Sequence, residues 1–158
     1  MARITDRLLR RLFLVSKSSL QGLGFTRVDN PRVVSVVGCQ RSGTTMLLNV
    51  LERDRRTRVY HEWDSRLFYP SLRLKEADVI SRRFQQDRDH LVVTKPLLDS
   101  QWTNEFLQTY PQAHAVWIYR HYSAVAQSNL RAFSQANGKR NLSPILSGDH
   151  EGWRVEGG

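Results

Sequence analysis

The stretch VVSVVGCQRSGTTMLLNVL, residues 33–51, runs an apolar, β-branched segment into a glycine-bounded turn and then into the start of an amphipathic helix. That order is the layout of a phosphate-binding loop. Gly38 and Gly43 have the spacing of G-x-x-x-x-G-K-[ST], but Thr44 stands where the lysine belongs. The glycines and the helix N-terminus still supply backbone N–H groups and the positive end of a dipole, which suit a terminal phosphate. Ser42, Thr44 and Thr45 add hydroxyl donors. A triphosphate site also needs a lysine across the β- and γ-phosphates and an aspartate for magnesium at another strand end. The strong strands here end in Lys95 and Arg120 instead, so a ligand with one phosphate-like head fits better.

Those strands are RVVSVV before the loop, HLVVTK ending at Lys95, and AHAVWIYR ending at Arg120. Each is short and nearly continuously apolar, the pattern of parallel strands covered on both faces. Helix-length segments separate them: TTMLLNVLER, SLRLKEADVISRRFQQD, and DSQWTNEFLQTYP, closed by Pro111. The expected class is α/β, a P-loop-like three-layer α/β/α arrangement on a central parallel sheet. Ligands of such sheets sit beyond the carboxyl ends of the strands. Arg41, Lys95 and Arg120 would therefore meet along one edge as an anion site. After Ser128 the chain turns polar and shows no further strand, so the sheet is expected to be incomplete.

A chain of 158 residues, 40% of them hydrophobic, supports one packed core. Residues 1–30 read as an N-terminal amphipathic helix and lead-in, and residues 31–158 as the front part of the domain. In the first 20 residues Ile4, Leu8, Leu9, Leu12 and Phe13 share one helical face, with Arg3, Arg7, Arg10 and Arg11 around the other. The expected placement is packing on the domain with the arginines in water, with peripheral membrane contact as the alternative. The net charge of +9 favours anionic ligands without implying a specific nucleic acid. Cys39 is the only cysteine, which excludes an intrachain disulfide and points to a reducing, cytoplasmic setting. No run reaches the roughly 20 apolar residues of a transmembrane helix. His114, His121 and His150 lack metal-ligand spacing with one another or with Cys39, so no metal site is expected.

The RSGTT of residues 41–45, following an apolar strand, resembles the 5′-phosphosulfate loop of sulfotransferases that use 3′-phosphoadenosine 5′-phosphosulfate. The second signature of that family is a strand-end arginine with a serine eight residues on, and YRHYSAVAQS supplies Arg120 and Ser128. The resemblance covers about residues 31–131 and is closest to the tyrosylprotein and bacterial type. It implies that Arg41, Ser42, Gly43, Thr44 and Thr45 hold the phosphosulfate while Arg120 and Ser128 hold the 3′-phosphate. No β,γ pair then needs a lysine, and no metal is required. Lys95, in a K-P context, resembles the lysine that stabilises the transferring sulfuryl group. Glu62 stands 21 residues after Arg41, where the tyrosylprotein enzymes carry a glutamate general base. His61 is the neighbouring alternative, and Leu97 occupies the place of the cytosolic enzymes' histidine.

The implied reaction is metal-independent in-line transfer to a hydroxyl or amine of a carbohydrate, lipid, peptide or small molecule. Trp63, Phe68, Tyr69 and Tyr122 are candidates to line the acceptor pocket. Family members continue into a later basic, glycine-containing loop that this sequence lacks, so the chain is expected to be truncated at its C-terminus. Three alternatives stay open: a P-loop nucleotide kinase or triphosphatase, an inactive donor-binding relative, and a basic module for nucleic acid or membrane.

Overall fold

Residue alternation along the first strand sorts the chain into two packed faces. The computed structural model describes residues 2–23 and 28–147. Helix α1 spans Ala2–Gly22, strand β1 Arg32–Gly38, helix α2 Thr44–Leu51 and strand β2 Thr57–Tyr60. Helix α3 follows at Ala77–Gln86, strand β3 at Leu91–Thr94, a 3-10 turn at Ser100–Trp102, helix α4 at Thr103–Thr109, strand β4 at Ala113–Ile118 and helix α5 at Tyr122–Ser147. Because side chains alternate along a strand, Val33 of β1 and Val92 of β3 join Tyr60, Ile80, Phe84 and Phe106 on one face. Val36 and Val93 meet Leu48 of α2 on the other. The α/β class therefore holds, with helices packed on both faces of β1 and β3.

The sheet has four parallel strands in the order β2-β3-β1-β4. Sequence reading found three of them and missed β2, the four-residue TRVY, which is too short to show a period. β1 lies between β3 and β4, so the strand order reverses across it. At such a switch point the loops leaving adjacent strands diverge and open a crevice beyond their carboxyl ends. The expected cover on both faces fails at β4, whose Ala115, Val116 and Trp117 are exposed. β4 occupies the sheet edge, paired on one side only, with β1.

The segment 71–87 is less helical than its composition suggests. The chain first turns back through a Phe68–Leu74 bridge, and α3 starts only at Ala77. The C-terminal end of α3 is tied to the end of β2: the fully buried Tyr60 hydroxyl donates to Asp87 at 2.8 Å and accepts from Arg83 Nε at 2.6 Å. Burial pushes both the Tyr60 hydroxyl and the Asp87 carboxyl upward, so the bond joins a phenol that stays protonated to a carboxyl held in place by Arg83. This cluster holds the β2 end two residues before Glu62.

Helix α1 docks in a way composition does not suggest. Beside half-buried Phe13, Leu14 and Leu20, its contacts include several polar ones: Arg10 donates to Asn49 Oδ1 at 2.8 Å and Glu52 Oε2 at 2.6 Å, buried Lys17 to the Glu52 carbonyl at 2.8 Å, and Gln21 to the Arg55 and Thr57 carbonyls. Arg10 stays half exposed, as expected of the arginines, while pairing with Glu52, and the basic residue that the helix buries is Lys17. Main-chain carbonyls at the end of α2 and the start of β2 lack helical partners, and α1 provides donors to them. None of the described helices is long and apolar enough to cross a membrane.

Glu52 is the hub of that contact. A hydrogen bond from His61 lowers its carboxyl from 4.5 to about 2, with a further bond from Arg10 and against the opposing effect of burial. A carboxyl depressed in the folded state stabilises the fold above its unfolded pKa and loses that contribution as pH falls through the folded one. Urea denaturation of the wild type should therefore show stability declining between pH 4.5 and about 2. Glu52→Gln should be less stable at pH 7, with a difference that shrinks across the same window.

Candidate functional site

The turn after β1 is built from backbone that ordinary residues avoid. Gly38 has φ 148° and Gly43 φ 114°, both positive and both suited to glycine. Arg41 between them also sits at positive φ, 70°, which costs a side-chain-bearing residue on the order of 1 kcal/mol. The turn closes through a hydrogen bond from Ser42 N–H to the Cys39 carbonyl at 3.1 Å. Gly38 pairs with Ile118 of β4, and a Cβ at Gly38 would stand 2.5 Å from the Ile118 carbonyl oxygen. Only glycine lets β4 approach this closely.

Gly43 caps α2 without a side chain, so the cap residue offers no side-chain acceptor to the first-turn N–H groups of the helix. They border a cavity of about 390 Å³ lined by Gln40, Arg41, Gly43, Thr44, Thr45, Met46, Glu62, Lys95, Leu97, Arg120 and Ser128. Residues from the ends of all four strands meet there, although they are far apart in sequence. Ser42 is the exception among the residues expected to line it. Its hydroxyl is buried near Gly38 and, among the described residues, has no partner.

Lys95 follows β3 directly and is 3% exposed. Its ammonium donates to Thr45 Oγ1 at 2.9 Å and to Glu62 Oε1 at 3.0 Å. The cation absent from the loop at position 44 is thus present at the start of α2, supplied by the neighbouring strand. Glu62 is 8% exposed, and its Oε2 has no hydrogen-bond partner among the described residues. A buried carboxylate oxygen without a donor is costly, and this one belongs to a residue lining the cavity. His61 is turned away: its Nε2 lies 3.5 Å from Glu52 Oε1 and its ring stacks on Trp63 at 4.6 Å. Of the two candidate bases, Glu62 borders the cavity and His61 does not.

On the β4 side, Arg41 Nε donates to Ser128 Oγ at 3.1 Å, and Arg120 donates to the Arg41 main-chain carbonyl at 3.2 Å. Arg41, Arg120 and Ser128 also line a second cavity of about 220 Å³, joined by Ala124, Gln127, Arg131 and Ala132. Arg131 and Gln127 were missed in the sequence. The signal was available, because positions 124, 127, 128 and 131 share one face of a helix at 3.6-residue spacing.

The aromatic candidates for an acceptor pocket fare differently. Phe68 is in the core, Trp63 is stacked on His61, and Tyr69 and Tyr122 are exposed away from the cavity. A neighbouring, mainly apolar cavity of about 380 Å³ is instead lined by Leu72, Leu97, Leu98 and Trp117 with Gln40 and Cys39. Through Gln40 and Leu97 it adjoins the cationic one. No protein family, curated protein or solved structure matches this chain.

The two loop glycines should differ in their tolerance of a methyl group. Gly38→Ala meets both an unfavourable φ and the Ile118 carbonyl, and should cost about 2–3 kcal/mol in urea denaturation. Gly43→Ala meets nothing closer than the Ile118 side chain at 4.0 Å and should cost about 1 kcal/mol from backbone strain alone.

Proposed function

We propose that this chain carries the donor site of a sulfotransferase that uses 3′-phosphoadenosine 5′-phosphosulfate, on a P-loop-like α/β scaffold. The observation that carries the reading is the convergence of Arg41, Thr45, Lys95 and Glu62 at the uncapped N-terminus of α2, with Arg120, Ser128 and Arg131 on the adjoining side. The donor has two separate anionic heads, a 5′-phosphosulfate and a 3′-phosphate. Two adjoining basic cavities that share Arg41 suit such a molecule better than a linear triphosphate.

In this reading the backbone N–H groups of α2, Thr44, Thr45 and the Arg41 guanidinium hold the phosphosulfate through charge-assisted hydrogen bonds. Arg120, Ser128 and Arg131 hold the 3′-phosphate. Glu62 Oε2 takes the proton of the acceptor hydroxyl as that oxygen forms its bond to sulfur. The bond from sulfur to the 5′-phosphate oxygen breaks, and its electron pair leaves with the phosphate. Lys95 bridges Glu62 and Thr45, between the base and the phosphosulfate cradle, and offsets charge on the sulfuryl oxygens and the leaving phosphate. The apolar cavity beside Leu97 suits the body of an acceptor that presents a hydroxyl or amine.

Calorimetric titration with 3′-phosphoadenosine 5′-phosphate, without magnesium, tests the donor site. A Kd of about 1 μM is expected, weakened at least about tenfold in Arg41→Ala and in Arg120→Ala. Tighter binding of ATP with magnesium would instead assign the cavity to a nucleotide kinase or triphosphatase. Glu62→Gln, which keeps a partner for Lys95, should leave nucleotide binding within about twofold and lower sulfuryl transfer by about a hundredfold or more. Equal loss of binding and transfer in that variant would remove Glu62 from the role of base.

A further inference from the structure

Helix α1 leaves a large part of its apolar surface in water. An ordinary surface helix buries its apolar stripe and gives its polar face to water. Here the inward side is held by Arg10, Lys17 and Gln21 through hydrogen bonds to α2 and the start of β2. Leu8, Leu12 and Val15, at i, i+4 and i+7, form an outward stripe and are 54%, 67% and 66% exposed. Leu9 beside them and Leu23 just past the helix end widen it, at 66% and 73%. Scattered exposed leucines mean little, but a continuous stripe along a helix marks a contact surface.

We propose that α1 is an interfacial helix that lays this stripe into an anionic lipid surface. Charge selects that occupant. Residues 1–23 contain Arg3, Arg7 and Arg11 against the single acid Asp6, besides Arg10 and Lys17, which are engaged with Glu52, within a chain of net charge +9. Basic residues near a membrane face are attracted to anionic headgroups, and an apolar helical stripe enters the boundary between headgroup and acyl chain. A second copy fits poorly, because two-fold pairing would bring the same basic segment against itself. The cleft between α1 and α2, about 550 Å³, continues the stripe inward from Leu9 to Phe13 and Leu14 with Arg53 on its wall. This amphipathic lining suits a lipid headgroup and the first part of its chain. The inference does not rest on the sulfotransferase reading, since none of these residues borders the cationic cavity.

Flotation of the full chain with vesicles tests the proposal. One set is phosphatidylcholine alone, and the other carries about 30% phosphatidylglycerol. The wild type should float with the anionic vesicles, with an apparent affinity at least about tenfold above that for neutral ones and weakened by added salt. A Leu8→Ser/Leu12→Ser/Val15→Ser variant should lose at least about tenfold, with its circular dichroism and melting curve unchanged because these side chains are already in water. Ser18 is exposed one turn beyond Val15, and Ser18→Glu, which sets an acid at the end of the stripe, should weaken anionic binding without changing the fold. Should the triple variant melt early, Leu12→Ser alone, with the lipid and salt comparison on the wild type, decides the matter. The proposal is overturned if the wild type stays with the unbound protein, or if the folded variants float as the wild type does. It is equally overturned if light scattering shows a wild-type dimer that the triple variant makes monomeric while neither floats.

Discussion

The buried contact of Lys95 with Glu62 and Thr45 is the point on which the site depends. It ties the end of β3 to the residue two positions past β2 and to the first turn of α2. Three segments distant in sequence are thereby held at one corner. A buried ion pair brings little net stability, because desolvation consumes most of the Coulombic attraction, yet removing one partner leaves an uncompensated charge. Its use here is positional. The ammonium stands beside the helix N-terminus without occupying the loop, and the second carboxylate oxygen of Glu62 is left without a donor among the described residues.

That corner exists because β1 is central. With β3 on one side and β4 on the other, the loop after β1 receives Lys95 from the left and Arg120 from the right. The close approach of β4 demands glycine at 38, and the turn that follows places Arg41 at positive φ, from where its side chain reaches Ser128 on α5. Strain at Arg41 and an uncapped helix are both local costs. They leave donors pointing into one cavity, the usual reason such costs persist at a site.

The two ends of the molecule solve opposite problems. At the cavity, cations gather beside the start of a helix. At α1, basic and amide donors are turned inward to satisfy carbonyls at the α2–β2 junction, and the leucines are left outside. The first arrangement draws on a helix beginning and the second on a helix end, the two places where main-chain hydrogen bonding is incomplete.

The α/β class, the glycine-bounded turn at Gly38 and Gly43, and the cations after two of the strands were legible in the sequence. Each is local: apolar runs, glycine spacing and the residue following a strand are read within about ten positions. Strand β2 was not legible, because four residues carry no measurable period and their pairing with β3 is a non-local contact. The apolar cavity at Leu72, Leu98 and Trp117 was hidden for the same reason, since it is defined by what lies across the loop and not along it, whereas Arg131 could have been found from its helical spacing to Ser128. The choice between His61 and Glu62 was also tertiary: adjacent positions past a strand end point apart, and only the placement of Glu52 and Lys95 decides which one borders the cavity. The orientation of α1 belongs to this second group. Its amphipathic pattern was determined by the sequence alone, but which side faces inward was decided by tertiary contacts, among them those of Lys17 and Gln21 with main-chain carbonyls past α2 that lie far away in the chain and leave no local signal.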